Sequence, residues 1–227
     1  MKTEARKSPF IAYFLLFVML IVTAAAWAGS FRDTFEETSL SEIWKGDRRS
    51  FFVEDGKLVG VSAHPLMTFL RFIYVGESWT DYTVRCRVNV VQPNLLICTK
   101  GAMLLRYHDG DGIVFALHVA AKRVEVYRLS GEKLLSIKTP LKLKRWYDLR
   151  AEVSGNAFRF YLDGQEIGRL TDDRFRSGAV GLAVEDVMKA LFDDFHVTGP
   201  GVTDIGTNLD MSAKVAVLWG GLKRSRN

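Results

Sequence analysis

A two-residue rhythm along the middle of the chain restricts the fold more than any other feature. Tyr82, Val84, Cys86, Val88 and Val90 alternate with Thr83, Arg85, Arg87 and Asn89, the period of a strand with one buried face and one wet face. The alternation returns as Val124 and Val126 against Arg123, Glu125 and Tyr127, and as Phe158, Phe160 and Leu162 against Arg159 and Tyr161. Between these runs lie Asp55-Gly56, Asp109-Gly110-Asp111-Gly112, Ser130-Gly131, Ser154-Gly155-Asn156, Asp163-Gly164 and Ser177-Gly178. Glycine and the Asx residues tolerate the positive φ of tight turns, so each marks a hairpin or strand connection. Beyond the first 28 residues no stretch sustains an i, i+3, i+4, i+7 pattern over three turns, which argues against crossover helices and a parallel sheet. The expected fold class is all-β, an antiparallel β-sandwich. The three Asp-Gly turns are evenly spaced, but their flanks share no wider pattern, so no internal repeat is read from them.

The amino end reads as an address. Residues 1–9 are polar and net positive, Phe10 to Val22 are almost wholly apolar, and Ala26-Trp27-Ala28 supplies a small-x-small cleavage pattern before Gly29. This predicts a secretory leader, with an uncleaved membrane anchor as the alternative because no charge interrupts the run until Arg32. The expected organisation is a leader over 1–28, one domain over 29–198 and a C-terminal extension over 199–227. That extension holds an apolar stretch, Val215 to Trp219, and the basic residues Lys223, Arg224 and Arg226. The protein is expected to be exported, periplasmic or extracellular, meeting a membrane only through its N-terminal segment where that is left uncleaved.

Composition narrows the function classes. A chain 48% hydrophobic with two cysteines folds on a packed core and not on a dense disulfide framework. Of the net charge of +5, Lys2, Arg6 and Lys7 against Glu4 account for +2, and the remainder is too small to argue for nucleic acid. If Val91-Gln92-Pro93 turns a hairpin, Cys86 falls opposite Cys98. A cross-strand disulfide and two reduced, buried thiols are both compatible with that register.

Three stretches taken together resemble the concanavalin A-like jelly roll of laminin G-like domains and the related 3-keto-disaccharide hydrolase domains. The first is Phe31-Arg32-Asp33-Thr34-Phe35 with Leu40, Trp44 and Phe52-Val53-Glu54-Asp55-Gly56-Lys57-Leu58. The second is Met103-Leu104-Leu105-Arg106-Tyr107 with Asp109 and Ile113-Val114-Phe115-Ala116-Leu117. The third runs from Arg145-Trp146-Tyr147-Asp148-Leu149-Arg150 through Phe160-Tyr161-Leu162-Asp163-Gly164 and Gly178-Ala179-Val180-Gly181-Leu182 to Phe192-Asp193-Asp194-Phe195-His196-Val197. The resemblance implies that the first and last strands are neighbours, with Phe31 and Phe35 near Phe192 and Phe195. It also implies ligand sites on the concave sheet or its rim loops, and calcium in some relatives, for which Asp33 and Asp194 are the candidates here.

Catalytic constellations are missing from the sequence. No Glu-x-Asp-x-x-Glu occurs, and the adjacent acids Glu185-Asp186, Asp172-Asp173 and Asp193-Asp194 would point to opposite faces of a strand. No His-Glu-x-x-His, Gly-x-Ser-x-Gly or phosphate-binding loop is present, and the four histidines lack metal-ligand spacing. A binding role asks for a polar, aromatic-bearing face. With Val84, Cys86, Leu105, Phe115, Leu117, Val124 and Val126 inward, the outward set is Arg85, Arg87, Arg106, His118, Glu125 and Tyr127, joined by Arg71. Guanidinium forks and a ring suit a sugar's hydroxyls and apolar face. Trp44, beside Lys45, Asp47, Arg48 and Arg49, is a further candidate as a stacking platform, although an indole near a strand start also serves core packing. The sequence therefore predicts an exported module binding a carbohydrate or other extracellular polymer, with no catalytic residue, and no cofactor beyond calcium. A glycoside hydrolase and an envelope protein-interaction module are the alternatives.

Overall fold

Three Asp-Gly pairs, at 55, 109 and 163, close hairpins in the computed structural model, which describes residues 29–202 except 65, 68 and 96, while the fourth, Asp111-Gly112, opens a strand. The leader over 1–28 and residues 203–227 of the extension, Val215 to Trp219 included, lie outside the described residues. Positive φ at both members, 50° and 65° at Asp55-Gly56, 48° and 85° at Asp109-Gly110, 49° and 83° at Asp163-Gly164, is the backbone a two-residue hairpin turn needs.

Fifteen strands follow in chain order: β1 (Gly29–Asp33), β2 (Lys45–Gly46), β3 (Phe51–Glu54), β4 (Lys57–Gly60), β5 (Leu70–Trp79), β6 (Tyr82–Pro93), β7 (Lys100–His108), β8 (Asp111–His118), β9 (Arg123–Arg128), β10 (Lys133–Lys138), β11 (Tyr147–Ser154), β12 (Ala157–Leu162), β13 (Gln165–Thr171), β14 (Gly178–Glu185) and β15 (Val187–Gly199), with a 3-10 turn at Arg48–Ser50. One sheet is ordered β13-β12-β11-β6-β15-β4-β3 with β1 also on β15, and the other β10-β9-β8-β7-β14-β5-β2. All pairings are antiparallel. The all-β sandwich expected from the alternation is the fold observed.

The two sheets bury one face of each strand against the other. Val84, Cys86, Val88 and Val90 of β6 meet Met103 and Leu105 of β7, Phe115 and Leu117 of β8, and Val124 and Val126 of β9 in one core. Each fully buried phenylalanine there contributes about 1.5–3 kcal/mol. The sheets approach closely at Gly101, where a Cβ would stand 2.8 Å from Val88 Cγ1. First and last strands pair as the resemblance implied, with Phe31 opposite Val197 and its ring 6.1 Å from that of Phe195.

Three expectations are corrected. The chain does not turn at Val91–Pro93: β6 runs on through Pro93, its Cys86 pairs with Leu149 of β11 inside the core, and Cys98 sits in the loop leading to the other sheet. Both thiols are free, and burial pushes that of Cys86 up. Arg106 is not on a wet face. The β7 pairings shift between Leu105 and His108, and Arg106 takes φ +51°, a bulge that sends two successive side chains inward. Its guanidinium is fully buried and donates to the carbonyls of Phe175 (2.7 Å), Thr80 (2.9 Å) and Gly155 (3.1 Å). Trp44 is likewise interior, 1% exposed, packed on Phe31, Phe35 and Phe195, with its indole N–H donating to Asp33 Oδ2 at 2.8 Å. Its charged neighbours do not expose it because Arg48 turns back to donate to the carbonyls of Leu40, Ser41 and Trp44.

The loop joining β6 to β7 is held by a group that sequence reading passed over. Asp186 is fully buried at the β14–β15 turn, and its carboxylate accepts from the backbone N–H groups of Leu95, Ile97 and Cys98 at 2.8, 2.9 and 3.2 Å.

Candidate functional site

The side chains of the seven-stranded sheet that point away from the core fall into three ladder rows crossing the strands. Strand register dictates them, since directly paired residues share a face. The first row is Leu70, Glu185, Lys100, His118 and Arg123; the second is Phe72, Ala183, Ala102, Ala116, Glu125 and Ser136; the third is Tyr74, Gly181, Leu104, Val114 and Tyr127. Three successive alanines make the second row a trough between taller neighbours. Ala102, Leu104, Val114, Ala116 and Ala183 are fully buried, with Leu70, Phe72, Tyr107, Tyr127 and Leu129 packed against them. This is a second apolar layer on the side of the sheet opposite the main core.

Aromatic rings stand at one end of the trough. Tyr107 lies 5.1 Å from Phe72 and 4.7 Å from Tyr74, centroid to centroid, and all three rings are half-buried. The bulge that turns Arg106 inward also aims Tyr107 outward, where unbroken alternation would have buried it.

The other end is polar. Glu125 accepts from Lys133 Nζ at 3.2 Å and pairs with His118 Nδ1 at 3.0 Å, while His118 Nε2 stands 3.3 Å from the Ile97 carbonyl. Burial works to raise the Glu125 carboxyl pKa, but hydrogen bonds from Lys133 and His118 outweigh it and hold the group below its ordinary value. Lys100 bonds Glu185 at 2.8 Å and lies 4.8 Å above the Tyr127 ring. Tyr127 Oη and Ser136 Oγ are buried without a hydrogen-bond partner among the described residues, and burial drives the Tyr127 hydroxyl pKa upward. A buried hydroxyl without a partner is costly, and a polar ligand that gained access to these two would satisfy them.

The sequence-selected residues do not form one groove. His118, Glu125 and Tyr127 come together on this face. Arg85 and Arg87 lie on the outer face of the other sheet, because β6 and β7 belong to different sheets. There Arg85 forks onto Asp148 (2.9 and 2.8 Å from Nε to the two oxygens), and Arg87 faces Asp193 and Asp194 and stacks on Trp146 at 4.8 Å. Arg71 sits at the sandwich edge, 3.3 Å from Asp47. Asp33 spends both oxygens, on the Phe35 N–H (2.8 Å) and the Trp44 indole, and Asp194 faces Arg32 and Arg87. A hard cation needs six to eight oxygens, so these two residues do not fit a calcium site.

Phe72, Tyr74, Tyr107, Lys100 and Glu185 were missed. The signal for the first two was present as Leu70, Phe72 and Tyr74 at alternate positions of β5. Lys100, Glu185 and Tyr107 become neighbours of these rings only through pairing.

Residues 72–200 match the family described as the galactocerebrosidase C-terminal lectin domain. Among solved structures, the carbohydrate-binding module CBM66 from Bacillus subtilis superposes with a TM-score of 0.60 at 22% identity, covering 67% of this chain and 93% of that one. A protein with a galectin-like fold from Bacillus subtilis gives 0.58 at 14%, over 74% and 96%. A prokaryotic β-1,3-1,4-glucanase (lichenase) from a mouse hindgut metagenome gives 0.55 at 11%, over 77% and 100%. At these identities the likeness is one of fold, the concanavalin A-like jelly roll. No curated protein matches the sequence.

Proposed function

The chain belongs to the family of the galactocerebrosidase C-terminal lectin domain, and from that premise we propose that it is an exported carbohydrate-binding module that holds a glycan on the outer face of its seven-stranded sheet and performs no hydrolysis itself. One observation carries the reading: half-buried rings of Phe72, Tyr74 and Tyr107 stand at one end of an alanine-lined trough, and unpartnered hydroxyls of Tyr127 and Ser136 at the other. Rings offer a sugar's C–H face an apolar surface, and orphaned hydroxyls gain hydrogen bonds when its O–H groups arrive. Sugar-directed relatives in the structural comparison, CBM66 among them, support the same reading. So does the sequence of the leader, which suits export.

Hydrolysis is the rival, since glucanases share the fold. Among the described residues, the carboxylates of these rows are Glu125 and Glu185, three strand spacings apart and one row offset, about 16 Å at the backbone. Each is tied to a lysine, an arrangement that favours a fixed charged lining over the acid and nucleophile pair of a glycosidase, whose carboxyls stand about 5–9.5 Å apart.

A glycan array on the wild-type protein, followed by titration of the best ligand against Tyr107→Ala and Tyr127→Phe, tests the proposal. Tyr107→Ala is expected to weaken binding at least tenfold, about 1.4 kcal/mol, and Tyr127→Phe to weaken it less. Absence of binding to any glycan, or unchanged binding by both variants, would refute it.

A further inference from the structure

Resting on the carbohydrate reading, we infer that a separate cationic pocket at the sandwich edge selects acidic glycans by taking a sugar-borne oxyanion, a uronate carboxylate or a sulfate ester. The cavity holds about 170 Å³. That is below the roughly 300–1,000 Å³ of a site enclosing a whole small molecule, so it suits one charged substituent and part of its ring.

Three chain segments build it. Arg49 comes from the 3-10 turn before β3, Ser62 and His64 from the segment after β4, and Phe69 and Arg71 from the entry to β5. The Val61 N–H donates to the Ser50 carbonyl at 2.9 Å and the Ser62 hydroxyl donates to the Phe69 carbonyl, which ties the segments together. Arg71 is aimed by two contacts, 5.2 Å above the Phe69 ring and 3.3 Å from Asp47 Oδ2, and Asp47 is itself fixed by the Ser50 hydroxyl at 3.0 Å. His64 Nδ1 accepts from the N–H groups of Leu66 and Met67, both at 3.2 Å. The neutral ring therefore keeps its proton on Nε2 as a donor. Arg49 is exposed and has no ion-pair partner among the described residues.

Two guanidinia against one carboxylate leave the pocket net positive, with Arg49 uncommitted. A guanidinium presents a planar fork of N–H donors that matches two oxygens of a carboxylate or sulfate, and Phe69 supplies an apolar plate beside them. The pocket lies across β5 from the trough, because Arg71 pairs with the core residue Val184 and so points to the opposite side of the strand from Leu70 and Phe72. Leu70 and Phe72 belong to the ladder rows, while the intervening Arg71 and the preceding Phe69 line the pocket.

Calorimetric titration of the wild-type protein, Arg49→Gln and Tyr107→Ala with an oligogalacturonate, its methyl ester and a sulfated oligosaccharide tests the inference. At least one acidic probe is expected to bind tenfold or more tighter than the ester, and which one does so identifies the oxyanion. Arg49→Gln should abolish that preference while leaving the urea midpoint unchanged, and Tyr107→Ala should weaken all binding without abolishing the preference. Equal binding of acidic and esterified probes, or a preference that survives Arg49→Gln, overturns the pocket even where the loss in Tyr107→Ala upholds the sheet-face site. Failure of all three probes to bind also overturns the pocket, and the neutral glycans of the array then decide the sheet face alone.

Discussion

Replacing Arg106 by methionine removes a fully buried guanidinium of β7 and keeps most of its apolar length. Three carbonyl oxygens, those of Phe175, Thr80 and Gly155, then lose donors at 2.7, 2.9 and 3.1 Å. A buried acceptor left without a partner costs about 1–3 kcal/mol. The Phe175 bond is buried and takes that cost in full, whereas the other two lie in partly buried surroundings that water can re-enter. Against this, methionine has no charge to desolvate, and Arg106 Nε already lacks a partner. The balance is a loss of about 2–4 kcal/mol, close to the range for stripping one partner from a buried charged site. At a urea dependence of about 2 kcal/mol per molar the midpoint should fall by about 1–2 M with the slope unchanged. Arg106→Gly loses the same bonds yet relieves the left-handed φ of +51°, worth about 1 kcal/mol, so it should unfold later than Arg106→Ala. A methionine variant whose midpoint lies within about 0.3 M of wild type, or above it, would mean that desolvation of the guanidinium outweighs its bonds, and the reasoning would be refuted.

Asp186→Asn should lower stability by about 2–4 kcal/mol and speed amide exchange over residues 95–99, because charged hydrogen bonds to three backbone N–H groups are weakened together; unchanged exchange there would contradict the role given to this carboxylate. Alkylation without prior reduction should label Cys98 in the native protein and both cysteines only after unfolding, since Cys86 is buried with its thiol pKa pushed up; an isolated disulfide would count against the fold's placement of the two. Glu125 has a folded carboxyl below its ordinary value of 4.5, so its contribution to stability is present above that pH and lost as pH falls through the lower folded value. Glu125→Gln should therefore flatten the acid side of the stability curve, and an unaltered acid slope would remove the pairing with Lys133 and His118 from the account.

Much of the architecture was legible because alternation and turn chemistry are local. Val84, Val124, Val126, Phe158 and Phe160 are buried where period-two reading places them, and the Asp-Gly pairs turn where their tolerance of positive φ allows. The site was less legible. His118 and Glu125 are legible because they alternate with buried neighbours on β8 and β9, but a groove shared with Arg85 and Arg87 requires β6 and β7 to form a hairpin, and they lie in different sheets. Trp44 misled for a related reason: local charge does not report burial when the charged side chain beside it folds back onto backbone carbonyls.

The sequence by itself determined which residues alternate, where the chain reverses, and that two opposed apolar faces had to be stacked, since all of these follow from the properties of a few consecutive residues. Strand partnership, and with it the face each residue shares with distant ones, was decided only in the tertiary structure. The bulge at Arg106 illustrates the difference. A single left-handed backbone angle buries an arginine and turns Tyr107 toward Phe72 and Tyr74, and what stabilises that angle is three carbonyls from segments far apart in the chain, which no local pattern brings into view.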